Sequence, residues 1–403
     1  MLSVGTPPSS PARGALAGGD RSGRWLARPG FGVYVHIPFC RHRCHYCDFN
    51  TYEGQADLHA AYTDALVTDI ERWEGAAAAP ASSVFFGGGT PTLLPPDALG
   101  RILAAVRRRV GLLPDAEVTV EANPETVDER SFENLLHEGF NRVSIGVQSL
   151  VPRVLAGLGR THDPEAALDA VAAARRAGVA DISVDLIYGS AWESTADWMT
   201  SLRGVVAAEP DHISAYALTL ERGTPLHTLV ATGRVPQVDP DVQADRHRSA
   251  EEVLGAVGYA RYEISNWARP GRASRHNVLY WSAGDYLGFG AGAHGHVAGR
   301  RWWSMKLPRA YVAAVGDGAS TEAGSELVPH DERAGEALML GLRLDSGIDL
   351  EAFARRFGAE ALAARRVTID HLAALTLVEV VDGRLRMSDS SVLLLDEVAC
   401  RLL

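Results

Sequence analysis

Three observations predict an α/β fold built on parallel strands, closed wholly or partly into a barrel and followed by a smaller winged-helix-like α+β module. Short β-branched or apolar runs alternate with longer amphipathic stretches through the first part of the chain. Each such unit takes about thirty residues, the length needed for a parallel strand, its crossover helix and the next strand. After about residue 235 this rhythm gives way to helices and then a hairpin signal.

The strands are expected at Gly32–Ile37, Ser83–Phe86, Glu117–Glu121, Arg142–Gly146, Asp181–Leu186 and His212–Ala215. Helical periodicity marks Ala56–Trp73, Asp97–Val110, Val127–His137, Pro164–Ala177, Ser194–Ala207 and Val242–Ala256. Periodicity alone leaves a doubly wound open sheet as the alternative to a barrel; in either, loops at the strand C-termini make the site. Tyr259–Trp303 reads as irregular, rich in glycine and aromatics. From Leu307 three helices precede Leu377–Val381, an Asp382-Gly383 turn and Arg384–Met387, a strong hairpin signal. The expected organisation is a disordered tail over residues 1–28, a barrel over 29–258, a connector over 259–306 and a C-terminal module over 307–403. No solenoid repeat is present.

Composition narrows the function. The 403 residues are 46% apolar and 22% charged, with 39 basic against 50 acidic side chains and a net charge of −11. A sequence-independent nucleic-acid binder needs a basic face, so nucleic acid is not an expected partner. The C-terminal module is therefore a structural or partner-binding lid rather than a DNA reader. No apolar run reaches the ~18–20 residues that span a bilayer. Three of the four cysteines, Cys40, Cys44 and Cys47, sit within eight residues, unlike a disulfide framework. Reduced thiols in a cytoplasmic compartment are expected; a transit peptide in the Arg- and Ser-bearing tail is the minority alternative.

The first strand ends at Pro38 and opens into Cys40-x3-Cys44-x2-Cys47. Three thiolates on one short loop can ligate three irons of a [4Fe-4S] cubane and leave the fourth open to a small molecule. Zinc competes: His42 or His45 could complete a Cys3His set. Directly after the second strand comes Gly87-Gly88-Gly89-Thr90-Pro91-Thr92. Such a turn lets backbone approach a ligand closely, and without a following Lys-Ser/Thr it is not a phosphate loop. By itself it could equally be a tight turn.

The cysteine loop after VYVHIPF, followed by GGGTPT, resembles the radical S-adenosylmethionine (SAM) superfamily, in its oxygen-independent coproporphyrinogen oxidase-like branch. In order come EANPE, NRVSIGVQS, LGRTHD, DLIYG and YEISNWARPG, and then His276-Asn277-x-x-Tyr280-Trp281, similar to the signature of the HemW heme chaperones. The resemblance covers about residues 31–400. It implies a partial (β/α)6-type radical SAM barrel, with Cys40, Cys44 and Cys47 holding the cluster and SAM on its open iron. Gly88, Gly89 and Thr90 match the turn at the methionine amino group. Glu121, Gln148, Arg160 and Asp185 match SAM-holding positions, and Tyr34 and Tyr46 match aromatics near the cluster and adenine. Arg160 suits a methionine carboxylate, and Asp185 suits ribose hydroxyls.

Two departures separate this chain from the oxidase. The oxidase carries a further cysteine two residues past the third, where this chain has Phe49 after Asp48; the oxidase also has a longer N-terminal segment. The implied function is therefore a heme chaperone that holds heme through His276, Tyr280 and Trp281 and delivers it to apo-hemoproteins such as respiratory cytochromes. The alternative is a coproporphyrinogen III oxidase that uses a 5′-deoxyadenosyl radical on a porphyrinogen; a redox-sensing winged-helix regulator is a distant third. Without the resemblance, the six-residue motif would read as a packed connector with His276 merely hydrogen-bonded. Gly290-x-Gly292-x-x-Gly295 formally fits a dinucleotide fingerprint but is expected to be close-packed backbone, because an apolar strand before it and a helix after it are not evident. Cys400 is expected to be a small apolar residue of the last helix.

Overall fold

The computed structural model describes residues 30–75 and 79–403; the tail expected over residues 1–28 lies outside the described residues. Six strands run parallel and hydrogen-bond in chain order: β1 (Phe31–Ile37), β2 (Ala81–Gly88), β3 (Leu112–Ala122), β4 (Arg142–Gln148), β5 (Asp181–Tyr188) and β6 (His212–Ala217). Each of the expected strands is present, extended by one to several residues. The crossovers carry α1 (His59–Arg72), α2 (Pro96–Arg109), α3 (Glu129–Glu138), α4 (Pro164–Arg176) and α5 (Thr195–Ala207). After β6, a short helix at Pro225–Ala231 precedes α6 (Pro240–Ala256).

Local chemistry sets these boundaries. Proline opens α2, α4 and α6, where its missing N–H costs nothing. Asp128 and Ser131 form a reciprocal capping box at the start of α3, and Gly139 ends it at φ 99°.

Side-chain alternation divides the sheet into two faces. Val118, Val120, Val143, Ile145, Ile182, Val184 and Ile213 are buried among the helices in the main core. The intervening residues Thr119, Ser144, Ser183 and Ser214 line an interior cavity instead. The sheet curves around that cavity, yet its two ends are not paired with each other, so the barrel is partial.

The stretch expected to be irregular, Tyr259–Trp303, adds strands to both edges of this sheet. β7 (Ala260–Glu263) and β8 (Asn266–Ala268) form an antiparallel edge, with β8 on β6. Then α7 (Arg275–Trp281) leads to β9 (Asp285–Phe289), which pairs parallel with β1 in a register running from Phe31↔Asp285 to Val35↔Phe289. β10 (His294–Val297), β11 (Arg300–Ser304) and β12 (Glu322–Leu327) extend that edge antiparallel. These strands are three to six residues long, too short for a period-2 pattern to stand out. The glycine-rich decoy does follow a strand, β9, but leads into antiparallel β10 and opens no helix. A Cβ at Gly288 would lie 1.9 Å from the His294 carbonyl oxygen, so this backbone is close-packed.

The C-terminal module contains α8 (His330–Gly341), β13 (Ile348–Asp349), α9 (Leu350–Phe357), α10 (Ala359–Ala374), β14 (Val378–Val381), β15 (Arg384–Met387) and α11 (Leu395–Leu402). β14 and β15 form the expected hairpin, with Asp382 at φ 51° and Gly383 at φ 73° as a type I′ turn demands. Leu338, Phe353, Leu372, Leu385 and Val398 anchor a second hydrophobic core. Cys400 is exposed rather than packed, because α11 buries Leu395, Val398, Ala399 and Leu402 on the opposite stripe.

The module docks through α7 and β7. Arg356 donates to the carbonyls of Ser282 and Ala283 just past α7, and the Arg343 guanidinium lies 4.3 Å from the Trp281 ring centroid. At the other end of α7, Glu117 of β3 accepts from the backbone N–H groups of Arg275 and His276 at 2.9 and 3.1 Å. A carboxylate is favoured there by the helix dipole.

Candidate functional site

One cavity of about 650 Å³ runs through the interior of the barrel. Its lining includes Cys40, Cys44, Cys47, Tyr34, Tyr46, Gly88, Gly89, Thr90, Glu121, Gln148, Arg160, Asp185, His276 and Tyr280. Residues as far apart in the chain as Tyr34 and Tyr280 are thus brought to one space, and Trp281 is the motif residue left out of it.

The cysteine loop leaves β1 at the strand C-terminus, and its return is tied by a two-residue parallel bridge between Phe39–Cys40 and Tyr52–Glu53. Each thiol meets a donor or hydroxyl: Thr90 Oγ1 lies 3.9 Å from Cys40 Sγ, Arg160 Nη1 3.5 Å from Cys44 Sγ, and Thr51 Oγ1 3.9 Å from Cys47 Sγ. Burial pushes the Cys40 thiol up to about 11, so metal ligation must supply the charge that makes it a thiolate. Neither histidine of a Cys3His zinc set is joined to the thiols: one nitrogen of each is engaged away from them. His42 Nδ1 lies 3.2 Å from Glu53 Oε1, and His45 Nδ1 lies 3.2 Å from the Gly157 carbonyl. Among the described residues no three Cys, His, Asp or Glu side chains converge as a single ion requires. Three separate thiols around one space instead suit a polynuclear cluster, with one iron per thiolate.

The glycine turn is stitched to that loop. Gly89 N–H donates to Ile37 O at 2.8 Å and Thr90 N–H to Phe39 O at 2.7 Å, while Gly88 N–H donates to Glu121 Oε2 at 3.0 Å. These three N–H groups are therefore spent inside the protein. A Cβ on Gly89 would meet the Phe39 carbonyl oxygen at 2.4 Å, so the close approach that requires glycine is to backbone.

Sequence reasoning missed Asn123, although it stands in the EANPE segment two residues past Glu121. Its amide donates to Thr90 Oγ1 at 2.9 Å and its oxygen accepts from Arg160 Nη2 at 2.7 Å, joining the donor on Cys40 to the donor on Cys44. Arg160 Nη2 also donates to Gly146 O at 2.9 Å, and its buried Nε has no partner. That orphaned N–H beside the cysteines fits an incoming carboxylate. Gln148 takes φ 63°, a strained backbone for glutamine, at the end of β4.

Deeper in the barrel, Ser144 Oγ donates to both Asp185 carboxylate oxygens at 3.0–3.2 Å. Burial, reinforced by Asp185, raises Glu121 to about 8 against the opposing Gly88 N–H. The Thr119 hydroxyl is buried without a partner. Thr119, Ser144, Ser183 and Ser214 were also missed, yet the triplets Val-Thr-Val, Val-Ser-Ile, Ile-Ser-Val and Ile-Ser-Ala mark them: one polar residue at the centre of each strand, on the inward phase.

The motif on α7 is arranged differently from the expected heme-holding trio. His276 is 1% exposed, stacks on Phe85, and has both ring nitrogens engaged, Nδ1 with Ser83 Oγ at 2.9 Å and Nε2 with Tyr280 OH at 3.0 Å. Burial lowers its pKa to about 3. Trp281 lies under Arg343, outside the cavity lining. The helix holds His276 and Tyr280 on its cavity side and turns Trp281 toward the C-terminal module, because successive residues on a helix diverge by about 100°.

Comparison with known proteins identifies the family. Residues 34–203 match the radical SAM superfamily, and residues 328–394 match the HemN C-terminal domain. The coproporphyrinogen III oxidase HemN from Escherichia coli superposes with a TM-score of 0.78 at 23% identity, over 94% of this chain and 92% of that one, a likeness of fold. The chain is a radical SAM protein, whose cofactors are SAM and a [4Fe-4S] cluster. It is 42% identical over 347 residues to the heme chaperone HemW of Mycobacterium tuberculosis, covering 85% of this chain and 88% of that protein. It is also 39% identical over 332 residues to the mitochondrial radical S-adenosyl methionine domain-containing protein 1 of Bos taurus, covering 78% and 74%. Within the superfamily, the chain belongs to the heme chaperone HemW family.

Proposed function

We propose that this protein binds heme and passes it to apo-hemoproteins, respiratory cytochromes among them, while carrying a SAM-coordinated [4Fe-4S] cluster. The observation that carries the reading is the cysteine loop itself: three thiols face the cavity, and the position where the oxidase would place a further cysteine is Phe49, 63% exposed. Cys40, Cys44 and Cys47 would each hold one iron. When bound, the cluster would supply an iron open to SAM. Arg160 would pair with the SAM carboxylate, and Gly88, Gly89, Thr90, Glu121 and Gln148 would enclose the methionine end. Asp185 would accept ribose hydroxyls, with Tyr34 and Tyr46 beside the cluster and adenine. No helix among the described residues is long and apolar enough to cross a membrane, and we place the protein in the cytoplasm.

Anaerobic reconstitution followed by two assays tests this reading. Hemin titration is expected to give a saturable Soret change, and coproporphyrinogen with SAM and a reductant is expected to yield no protoporphyrinogen. Turnover without heme binding would replace the chaperone with the oxidase. Serine at Cys40, Cys44 or Cys47 should abolish the cluster, and Cys400→Ser should leave it intact.

A further inference from the structure

We propose that heme docks at the mouth of the barrel, with its iron on Nε2 of His42 and its macrocycle against Phe49. The placement rests on the heme-chaperone reading above and names the ligand it lacks.

The argument starts from the imidazoles. An iron ligand needs a nitrogen lone pair that is free and reachable. His276 offers neither, because its ring is sealed from solvent and both nitrogens are bonded within the protein. His42 offers both. It stands in the cysteine loop between Cys40 and Cys44, lines the cavity mouth, and its side chain is 46% exposed. Glu53 Oε1 lies 3.2 Å from its Nδ1, and among the described residues nothing bonds to Nε2. A carboxylate on one imidazole nitrogen fixes the tautomer and leaves the other nitrogen free for a metal, the arrangement found behind metal-ligating histidines. Glu53 is itself held, because it also accepts the backbone N–H of Arg43.

The surroundings match the rest of the ligand. Heme is a flat apolar ring with two carboxylates. Phe49 presents the most exposed aromatic side chain among the large hydrophobic residues, and it too lines the mouth. A phenyl ring so placed gains by covering a macrocycle. Arg41 and Arg43 flank His42 and are exposed, and Arg43 reaches the Phe49 carbonyl at 3.5 Å. Two exposed guanidinium groups on the loop that carries Phe49 suit two propionates. The site is open to solvent, which a cargo that must leave again requires.

The test titrates hemin into the full-length, cluster-reconstituted protein with SAM present, read by Soret absorption and by EPR of the ferric iron. His42→Ala should weaken heme binding by about tenfold or more and abolish the histidine-ligated signal. Free imidazole should restore the signal. Iron, sulfide and SAM binding should stay at wild-type values, which separates a lost ligand from a broken loop. Glu53→Gln should weaken heme binding within about 10–100-fold without removing the signal. His276→Gln, which can still bond Ser83, should keep the wild-type spectrum. A wild-type spectrum and affinity in His42→Ala, with the signal lost in His276→Gln, would overturn this placement and leave the chaperone reading standing. A wild-type protein that binds no heme would overturn the chaperone reading and the placement with it.

Discussion

Arg160 and Asn123 are joined by a 2.7 Å hydrogen bond, and through it the donor on Cys44 is tied to the donor on Cys40. The guanidinium spends Nη2 on Asn123 and Gly146, places Nη1 at Cys44, and leaves a buried Nε–H over. Lysine would keep the charge and lose the planar fork. Arg160→Lys should therefore weaken SAM binding by about 10–100-fold, the worth of one charge-assisted hydrogen bond. Calorimetry on reconstituted protein measures this. Affinity equal to wild type would mean that Arg160 braces the loop without touching the ligand.

Much of this site was legible because its chemistry is written in contiguous segments. Cys40, Cys44 and Cys47 fall in one loop, and the glycine turn directly follows an apolar run. The six parallel strands were legible for the same reason, each being long enough to show its pattern. What escaped depends on long-range pairing. Asn123 gains its role from Thr90 and Arg160, 33 and 37 residues away. The orientation of Trp281 depends on Arg343, and the edge strands β7 to β12 are stabilised by the sheet they join rather than by their own three to six residues.

Gly89 separates a backbone requirement from a ligand requirement. The sequence places Gly89 in a turn where backbone approaches a ligand closely, but its Cβ would lie 2.4 Å from Phe39 O and 2.9 Å from Ile37 O. Those carbonyls accept from Thr90 and Gly89 N–H, so neither strand can yield without losing its bonds. Gly89→Ala should lower thermal stability even without cofactors, by about 1–3 kcal/mol as overpacking does. Gly255→Ala is the control: it lies in α6 with open space at its Cβ, and should gain up to about 1 kcal/mol. Equal melting temperatures for the two variants would refute the clash.

Glu121 makes stability depend on pH. Its carboxyl is raised to about 8, first by burial and then by Asp185. The folded chain therefore holds a proton that the unfolded chain releases near 4.5, and folding is progressively disfavoured as pH rises from that value through about 8. Glu121→Gln should flatten this decline and make the cofactor-free protein more stable than wild type at pH 8.5, while weakening SAM binding. Denaturant titrations at pH 6 and 8.5 provide the comparison. A variant equally destabilised at both would show that Glu121 contributes its shape rather than its charge.

The docking of the C-terminal module turns on Arg343. It lies over Trp281 at 4.3 Å and reaches Glu263 Oε2 at 3.3 Å. Glu263 is fully buried on β7, and burial raises its pKa while Arg343 lowers it. Removing one partner of a buried pair strands the other, at a cost of about 3–5 kcal/mol, more than the pair contributes over an apolar replacement. Arg343→Met should therefore be severely destabilising, and more so at alkaline pH, where the stranded carboxylate must ionise or stay protonated at a cost. Adding Glu263→Gln should recover much of the loss, because the glutamine keeps an acceptor for Asn266 and Ser265 without the charge. A double-mutant cycle read by chemical denaturation measures the coupling. If the double variant is no more stable than Arg343→Met alone, the cost comes from the Trp281 contact, and α7 rather than β7 holds the module in place.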